Sequence, residues 1–332
     1  GQVDDGDGRL AARIAELEGA RYTFIAPGGQ AAIAVVYLAL CATGDHALIP
    51  QTTYGPSQDL AEGLLKDLGI EIETYHPALG AGLSAMIRPN TRLIWTESPG
   101  SLTMDVQDVP AIVGAARTAG VPVAIDNSYA AGVLFDAFAH GVDISIQSLT
   151  KYVAGHSDAI LGSISVASED LRERVGRAWS QLGMAVSPDE ASLALRGLQT
   201  LPVRLERSAA SGLAIAHWLS KRPEVELVLH PALPDCPGHE FWRRDFKGAT
   251  GLFSFVVRPE TAPAAVDGLL DRLGLFATGY GWGGTTSLAM RYPQLRPPYE
   301  HYGGRLIRLS IGLEAPDDLI ADLDQAFDVL TA

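Results

Sequence analysis

The sequence predicts an α/β fold in which a large, mainly parallel mixed sheet carries helices on both faces and a smaller C-terminal α/β unit follows. Three observations predict it. From residue 21 to about 167, short β-favouring apolar runs alternate with longer runs of helical period, the mark of a wound parallel sheet. Beyond Val166 the pattern turns to long helical stretches, then to a second, shorter set of strands and helices. The 332 residues carry 47% hydrophobic and only 19% charged side chains, enough apolar material for two buried cores. The change of pattern near Gly197 divides the chain into 1–197 and 198–332.

Taken in order, an acidic, Gly-rich stretch at 1–8 leads into an amphipathic helix carrying Leu10, Ile14 and Leu17. Strands are predicted at 22–26, 47–49, 70–75, 92–96, 121–125, 144–149 and 160–166, with helices at 31–42, 57–68 and 109–119 between them. Helical patterns at 169–181 and 188–219 follow. The smaller unit is expected to hold 225–229, 252–257, 263–273, 306–311 and 317–330. Gly/Pro-rich patches at 231–238 and 292–304 read as long ordered loops, which in compact domains are often functional.

Composition excludes several classes. A net charge of −14 argues against a nucleic-acid partner or an anionic membrane surface. No apolar run reaches membrane length and no basic-then-apolar signal opens the chain, so the expected compartment is the cytoplasm. Cys41 and Cys236 stand alone without metal-ligand spacing, and the histidines are scattered, so neither a disulfide framework nor a bound metal is expected.

The residues that carry chemistry stand at predicted strand ends. Asp126 breaks one apolar run, and the run 143–149 delivers Thr150 and Lys151 in the same way. Ligands of open α/β sheets bind beyond the carboxyl ends of the strands. An acid and an amine placed there suit pyridoxal 5′-phosphate (PLP): the lysine forms a Schiff base and the carboxylate keeps the pyridine nitrogen protonated. The spacing alone equally fits an ordinary strand-end acid and a surface lysine. Pro27-Gly28-Gly29-Gln30 follows a strand and opens a helix, where free backbone N–H groups favour a phosphate, although a plain glycine turn has the same look. Ser148 and Thr150 alternate along the run to Lys151, so both hydroxyls are expected on one side. Tyr54 lies in the loop after the second strand, placed either to stack on a ligand ring or to pack into the core. Arg308 interrupts an apolar strand pattern and requires an anionic partner, either an internal acid or a ligand carboxylate.

Longer words bear on these alternatives. ESPGSLTMDVQDVPAI, AIDNSYAAGVLF, HGVDISIQSLTKYVAGHSDAILGS, HPALPDCPGHEFWRRDF, GLFSFV, GYGWGG and LIRLSIGLE resemble the PLP-dependent enzymes of cysteine and methionine metabolism, and among them the bacterial β-lyases. The resemblance runs from about residue 19 to 330. It implies an aspartate-aminotransferase-like fold of type I, with 1–197 as the PLP-binding unit. It implies Lys151 as the Schiff-base lysine, Asp126 at the ring nitrogen, and Gly29, Gln30, Ser148 and Thr150 at the phosphate. Tyr54 would lie over the ring, where either it or Lys151 would remove the Cα proton, and Arg308 would clamp the substrate carboxylate, while Tyr280 and Trp282 would border the distal pocket. Pro56 stands where methionine γ-lyases carry cysteine, and Ser101 where γ-lyases and γ-synthases carry asparagine. Gly281 and Thr286 depart from the serine and glutamate common in β-lyases.

The activity so implied is β-elimination on L-cystathionine, giving homocysteine, pyruvate and ammonia. Cysteine or cystine C–S cleavage and the γ-reactions are the neighbouring alternatives, and the intact site residues argue against a non-enzymatic scaffold. The family is also expected to be a homo-oligomer, commonly a tetramer built as a dimer of dimers, with an N-terminal Tyr-x-Arg reaching the neighbour's cofactor phosphate. No such element stands before Gly19, so the arm is expected to be either absent from this chain or disordered.

Overall fold

The structure, a computed structural model, describes residues 6–330, so most of the acidic stretch at 1–8 lies outside the described residues. Its larger sheet has seven strands: β1 (Tyr22–Ala26), β2 (His46–Pro50), β3 (Glu71–Tyr75), β4 (Thr91–Glu97), β5 (Val123–Asp126), β6 (Ile144–Gln147) and β7 (Gly162–Val166). They lie in the order β1-β7-β6-β5-β4-β2-β3. The run β6-β5-β4-β2-β3 is parallel, while β7 pairs antiparallel with both β6 and β1. Six strands therefore point one way and their carboxyl ends share an edge. The sheet is mixed and mainly parallel, as expected.

Alternation along each strand explains why both faces are covered. In β4, Leu93 and Trp95 enter one apolar cluster and Ile94 enters the opposite one. In β5, Ala124 faces the first cluster and Val123 and Ile125 the second. Parallel strands buried on both faces read as continuous apolar runs for this reason. Each fully buried aliphatic side chain here contributes roughly 1.5–3 kcal/mol.

The helices are α1 (Gly6–Glu18), α2 (Gly29–Leu40), α3 (Gly55–Leu60), α4 (Val109–Ala119), α5 (Glu169–Gln181), α6 (Pro188–Leu198) and α7 (Leu201–Leu219), then α8 (His239–Asp245), α9 (Pro263–Arg272) and α10 (Pro316–Phe327). The fourth illustrates how local sequence sets them. Val109, Ile112, Val113 and Ala116 make its buried stripe, the Asp108 carboxylate accepts the Ala111 N–H at 3.2 Å, and Gly120 closes it at φ 68°. The second sheet runs β10-β11-β12-β9-β8, made of β8 (Val225–Leu229), β9 (Leu252–Val257), β10 (Ala277–Thr278), β11 (Leu288–Tyr292) and β12 (Leu306–Ser310). Its core gathers Phe253, Phe255, Ile307, Leu309, Leu323 and Phe327.

Several boundaries differ from the sequence expectation. The helical pattern at 188–219 is two helices, because Pro202 fits the first turn of a new helix and not the interior of an old one. The run expected at 121–125 starts as a strand only at Val123, after Pro122, and Asp126 is its last residue. The helix expected at 57–68 begins at Gly55 and passes into a π-helical turn at Ala61–Leu65. β10, β11 and α8 have no counterpart in the expected set, since Arg291 blurs the apolar pattern of β11 and α8 buries no side chain.

Candidate active site

The shared strand edge creates the site. Residues at the carboxyl ends of β1, β2, β4, β5 and β6 open on one cavity of about 490 Å³. A second cavity of about 420 Å³ adjoins it, with Tyr54, Ser101, Lys151 and Trp282 in both walls. The second is closed by Tyr280, Tyr292 and Arg308 of the smaller sheet and its loops.

At one end of the first cavity, α2 starts directly after β1. Gly28 caps it without a side-chain hydrogen bond, so the opening N–H groups at Gly29 and Gln30 face the cavity free of side-chain caps. A Cβ on Gly29 would lie 2.8 Å from the Ser148 Cβ, so this approach requires glycine. Ser148 and Thr150 both line the cavity, though not by strand alternation, because β6 ends at Gln147 and both lie in the turn beyond it. The Thr150 hydroxyl is engaged with Leu161, donating to its carbonyl at 3.1 Å and accepting its N–H at 2.9 Å.

Lys151 leaves the same turn and its Nζ stands 5.0 Å from the Trp282 ring centroid. Burial, reinforced by the Arg308 charge and opposed by Asp126, pushes its amine down to about 8. Asp126 reaches the cavity from β5, and its Oδ1 accepts the Ser128 N–H at 3.0 Å. Burial raises its pKa, while the contacts from Ser128 and the charge of Lys151 oppose the rise. Tyr54 precedes α3 with its side chain 41% exposed. Its phenol is pushed up, by burial first and then by the charges of Asp126 and Glu97.

Arg308 sits in the middle of β12. Its neighbours Ile307 and Leu309 enter the core of the small sheet, so alternation turns Arg308 toward the larger one. It is only 6% exposed, donates from Nη2 to the Tyr280 carbonyl at 2.8 Å, and its guanidinium lies 5.2 Å from the Tyr292 ring centroid. Among the described residues no acid forms an ion pair with it. Tyr280 is exposed with its ring edge-on to Tyr292, whereas Trp282 packs against Tyr152 at 5.5 Å. The chain thus brings all the expected residues to two joined cavities.

Sequence reasoning missed Glu97 and Arg204. Glu97 ends an apolar strand as Asp126 does, so the same signal was available. Arg204 is buried on α7 and donates to the carbonyls of Tyr152 (2.7 Å), Val153 (3.3 Å) and Gly197 (2.7 Å), holding the turn that follows Lys151. A Cβ on Gly155 would lie 1.9 Å from its Nη1, and Gly155 has φ 71°, so both space and backbone demand glycine.

These groups fit PLP. A glycine-lined helix start with a serine hydroxyl suits a phosphate, a buried amine of lowered pKa suits the aldehyde, and a buried carboxyl suits the ring nitrogen. Comparison with known proteins points the same way. Residues 7–328 match the model of the family described as Cys/Met metabolism PLP-dependent enzyme. The chain is 45% identical to cystathionine β-lyase MetC of Escherichia coli, covering 96% of this chain and 82% of that protein. It is 43% identical to cystathionine β-lyase of Salmonella typhimurium, with 96% and 82% covered. Among solved structures, cystathionine γ-lyase from Lactobacillus plantarum complexed with L-serine superposes with a TM-score of 0.91 at 28% identity, covering 98% of this chain and 87% of that one.

Proposed function

The chain belongs to the PLP-dependent enzymes of cysteine and methionine metabolism, and on that premise we propose that it cleaves L-cystathionine by β-elimination to homocysteine and aminoacrylate, which one water hydrolyses to pyruvate and ammonia. Arg308 carries the proposal. A buried guanidinium with no acidic ion-pair partner among the described residues, lining the same cavity as Lys151, is a site for the α-carboxylate of an amino acid.

When held by Lys151, PLP would supply a ring able to take up the electron pair of the Cα–H bond. Gly29 and Gln30 would hold its phosphate through backbone N–H groups, with the hydroxyls of Ser148 and Thr150 beside them in the same wall. Asp126 would keep the ring nitrogen protonated. Arg308 fixes the substrate carboxylate and so sets which bond at Cα stands ready to break. Lys151, as a free amine, would take the Cα proton and return a proton to the departing sulfur. The raised phenol of Tyr54 stays protonated near neutral pH, which favours Lys151 over Tyr54 as the base and leaves Tyr54 to stack and donate. The division near Gly197 leaves the cofactor groups in one unit and the carboxylate clamp in the other.

The second cavity supports a long substrate. About 420 Å³ beyond Tyr54 and Trp282 gives the distal half of cystathionine a place that cysteine would not need. Pro56 and Ser101 line that cavity where the γ-lyase and γ-synthase words differ. We also place the enzyme among homo-oligomers, with Ile160, 64% exposed at the rim of the first cavity, as an apolar contact for a second subunit; sedimentation of an active monomer would remove that part. Product analysis tests the reaction. Pyruvate with homocysteine supports β-elimination, and 2-oxobutyrate with cysteine refutes it.

A further inference from the structure

A buried acid with no role in the chemistry above stands in the wall of the cofactor cavity. Glu97 is the last residue of β4, and its Cα partner across the parallel ladder is Asp126. It is 7% exposed. One oxygen, Oε2, accepts two donors from the loop after β2: the Thr53 hydroxyl at 2.7 Å and the Tyr54 backbone N–H at 2.7 Å. The Glu97 backbone is itself anchored, donating its N–H to Gln107 Oε1 at 3.0 Å. Gln107 is held in turn by the Ser98 hydroxyl at 3.0 Å and donates to the Tyr75 hydroxyl at 3.1 Å. Tyr75 donates to the Trp95 carbonyl inside β4 at 2.8 Å. The acceptor is therefore fixed to the centre of the sheet.

Tyr54 needs such a fixed point. Its side chain is 41% exposed, so packing does not determine where the ring stands. Its backbone N–H precedes α3 and has no intrahelical partner to donate to. We infer that Glu97 is a positioning residue, whose carboxyl oxygen hangs the Thr53-Tyr54 segment from the end of β4 and thereby sets the Tyr54 ring against the cofactor. The functional half of this inference rests on the reading of Tyr54 given above. A catalytic role for Glu97 is not required, since its contacting oxygen is spent on two loop donors.

Two conservative variants separate reach from ionisation. Glu97→Gln removes the ionisable group but keeps an oxygen at the same reach, able to accept both donors. Glu97→Asp keeps a carboxyl group but withdraws the oxygen by one methylene. Amide hydrogen exchange at Tyr54 is measured on the full chain, with and without PLP, alongside the visible circular dichroism of the bound cofactor. Glu97→Asp is expected to speed exchange at Tyr54 by about tenfold or more, leave the amides of β5 unchanged, and alter the cofactor dichroism. It should also lower kcat more than it raises KM. Glu97→Gln is expected to resemble the wild type in all four readouts. Equal impairment of both variants, impairment of Gln alone, or unchanged exchange in Asp would each overturn the inference. Because exchange is read without substrate, a failure on L-cystathionine would refute the proposed reaction and leave this test standing.

Discussion

Replacing Arg308 by methionine should separate function from stability. The methionine fills much of the same volume, and what is lost is a charge 6% exposed, with one hydrogen bond to a carbonyl and no acidic partner among the described residues. A buried charge left uncompensated costs the fold, so its removal should leave Tm unchanged or higher. Substrate capture should move the other way. A desolvated guanidinium–carboxylate pair loses roughly 2–5 kcal/mol when one partner is truncated, which is about 30-fold to 5,000-fold in kcat/KM. A second effect needs no substrate. The Arg308 charge helps hold the Lys151 amine down, so the variant's amine should rise and capture PLP more slowly at pH 7. Steady-state kinetics on L-cystathionine, thermal melts and stopped-flow absorbance of PLP binding measure the three. A variant that melts well below the wild type while keeping its kcat/KM would refute the reasoning, because Arg308 would then be a structural residue.

Lys151→Ala should abolish the visible absorption of bound cofactor along with turnover, and a reduced pyridoxyl group mapped to Lys66, Lys221 or Lys247 would contradict the assignment. Asp126→Asn should still bind PLP but lose about 10²-fold or more in kcat, because an amide cannot hold the ring nitrogen protonated; near-normal kcat would remove that role. The pH dependence of PLP capture follows from the lowered amine. With a pKa of about 8, about a tenth of Lys151 is neutral at pH 7, against about 3 in 10⁴ for an amine at the ordinary 10.5. The capture rate should therefore rise about tenfold per pH unit below 7 and level off above about 8, and a rise continuing to pH 10 would show an unshifted lysine.

How much was legible depended on whether a feature is local. The wound sheet was readable because strands buried on both faces must be apolar throughout, as Leu93 to Trp95 are. Asp126 and Lys151 were readable because a polar residue at the end of such a run announces itself. Glu97 carries the same mark, as the last residue of β4. Arg204 was beyond reach. Its meaning lies in three carbonyls, two of them some 50 residues away, and on its own helix it looks like any surface arginine. The reason given for Ser148 and Thr150 also failed, since the ladder stops at Gln147 and a turn, not strand period, brings them to the cavity.

The charges around the cavities make sense only together with a ligand. Among the described residues neither Lys151 nor Arg308 forms an ion pair with an acid, and burial pushes both toward their neutral forms, the charge of Arg308 adding to the effect on Lys151. Across the cavity Glu97 and Asp126 end neighbouring strands, and burial together with the charge of Asp126 drives Glu97 well above the carboxylate range. Direct pairing of the two sets would relieve both, yet the fold holds them apart on different elements. An amino-acid carboxylate at Arg308 and a protonated ring nitrogen at Asp126 supply the missing opposite charges, one to each side. Ion pairing that these groups do not make with one another is thereby made on binding, so cofactor and substrate should stabilise the fold beyond what their contact area alone would give.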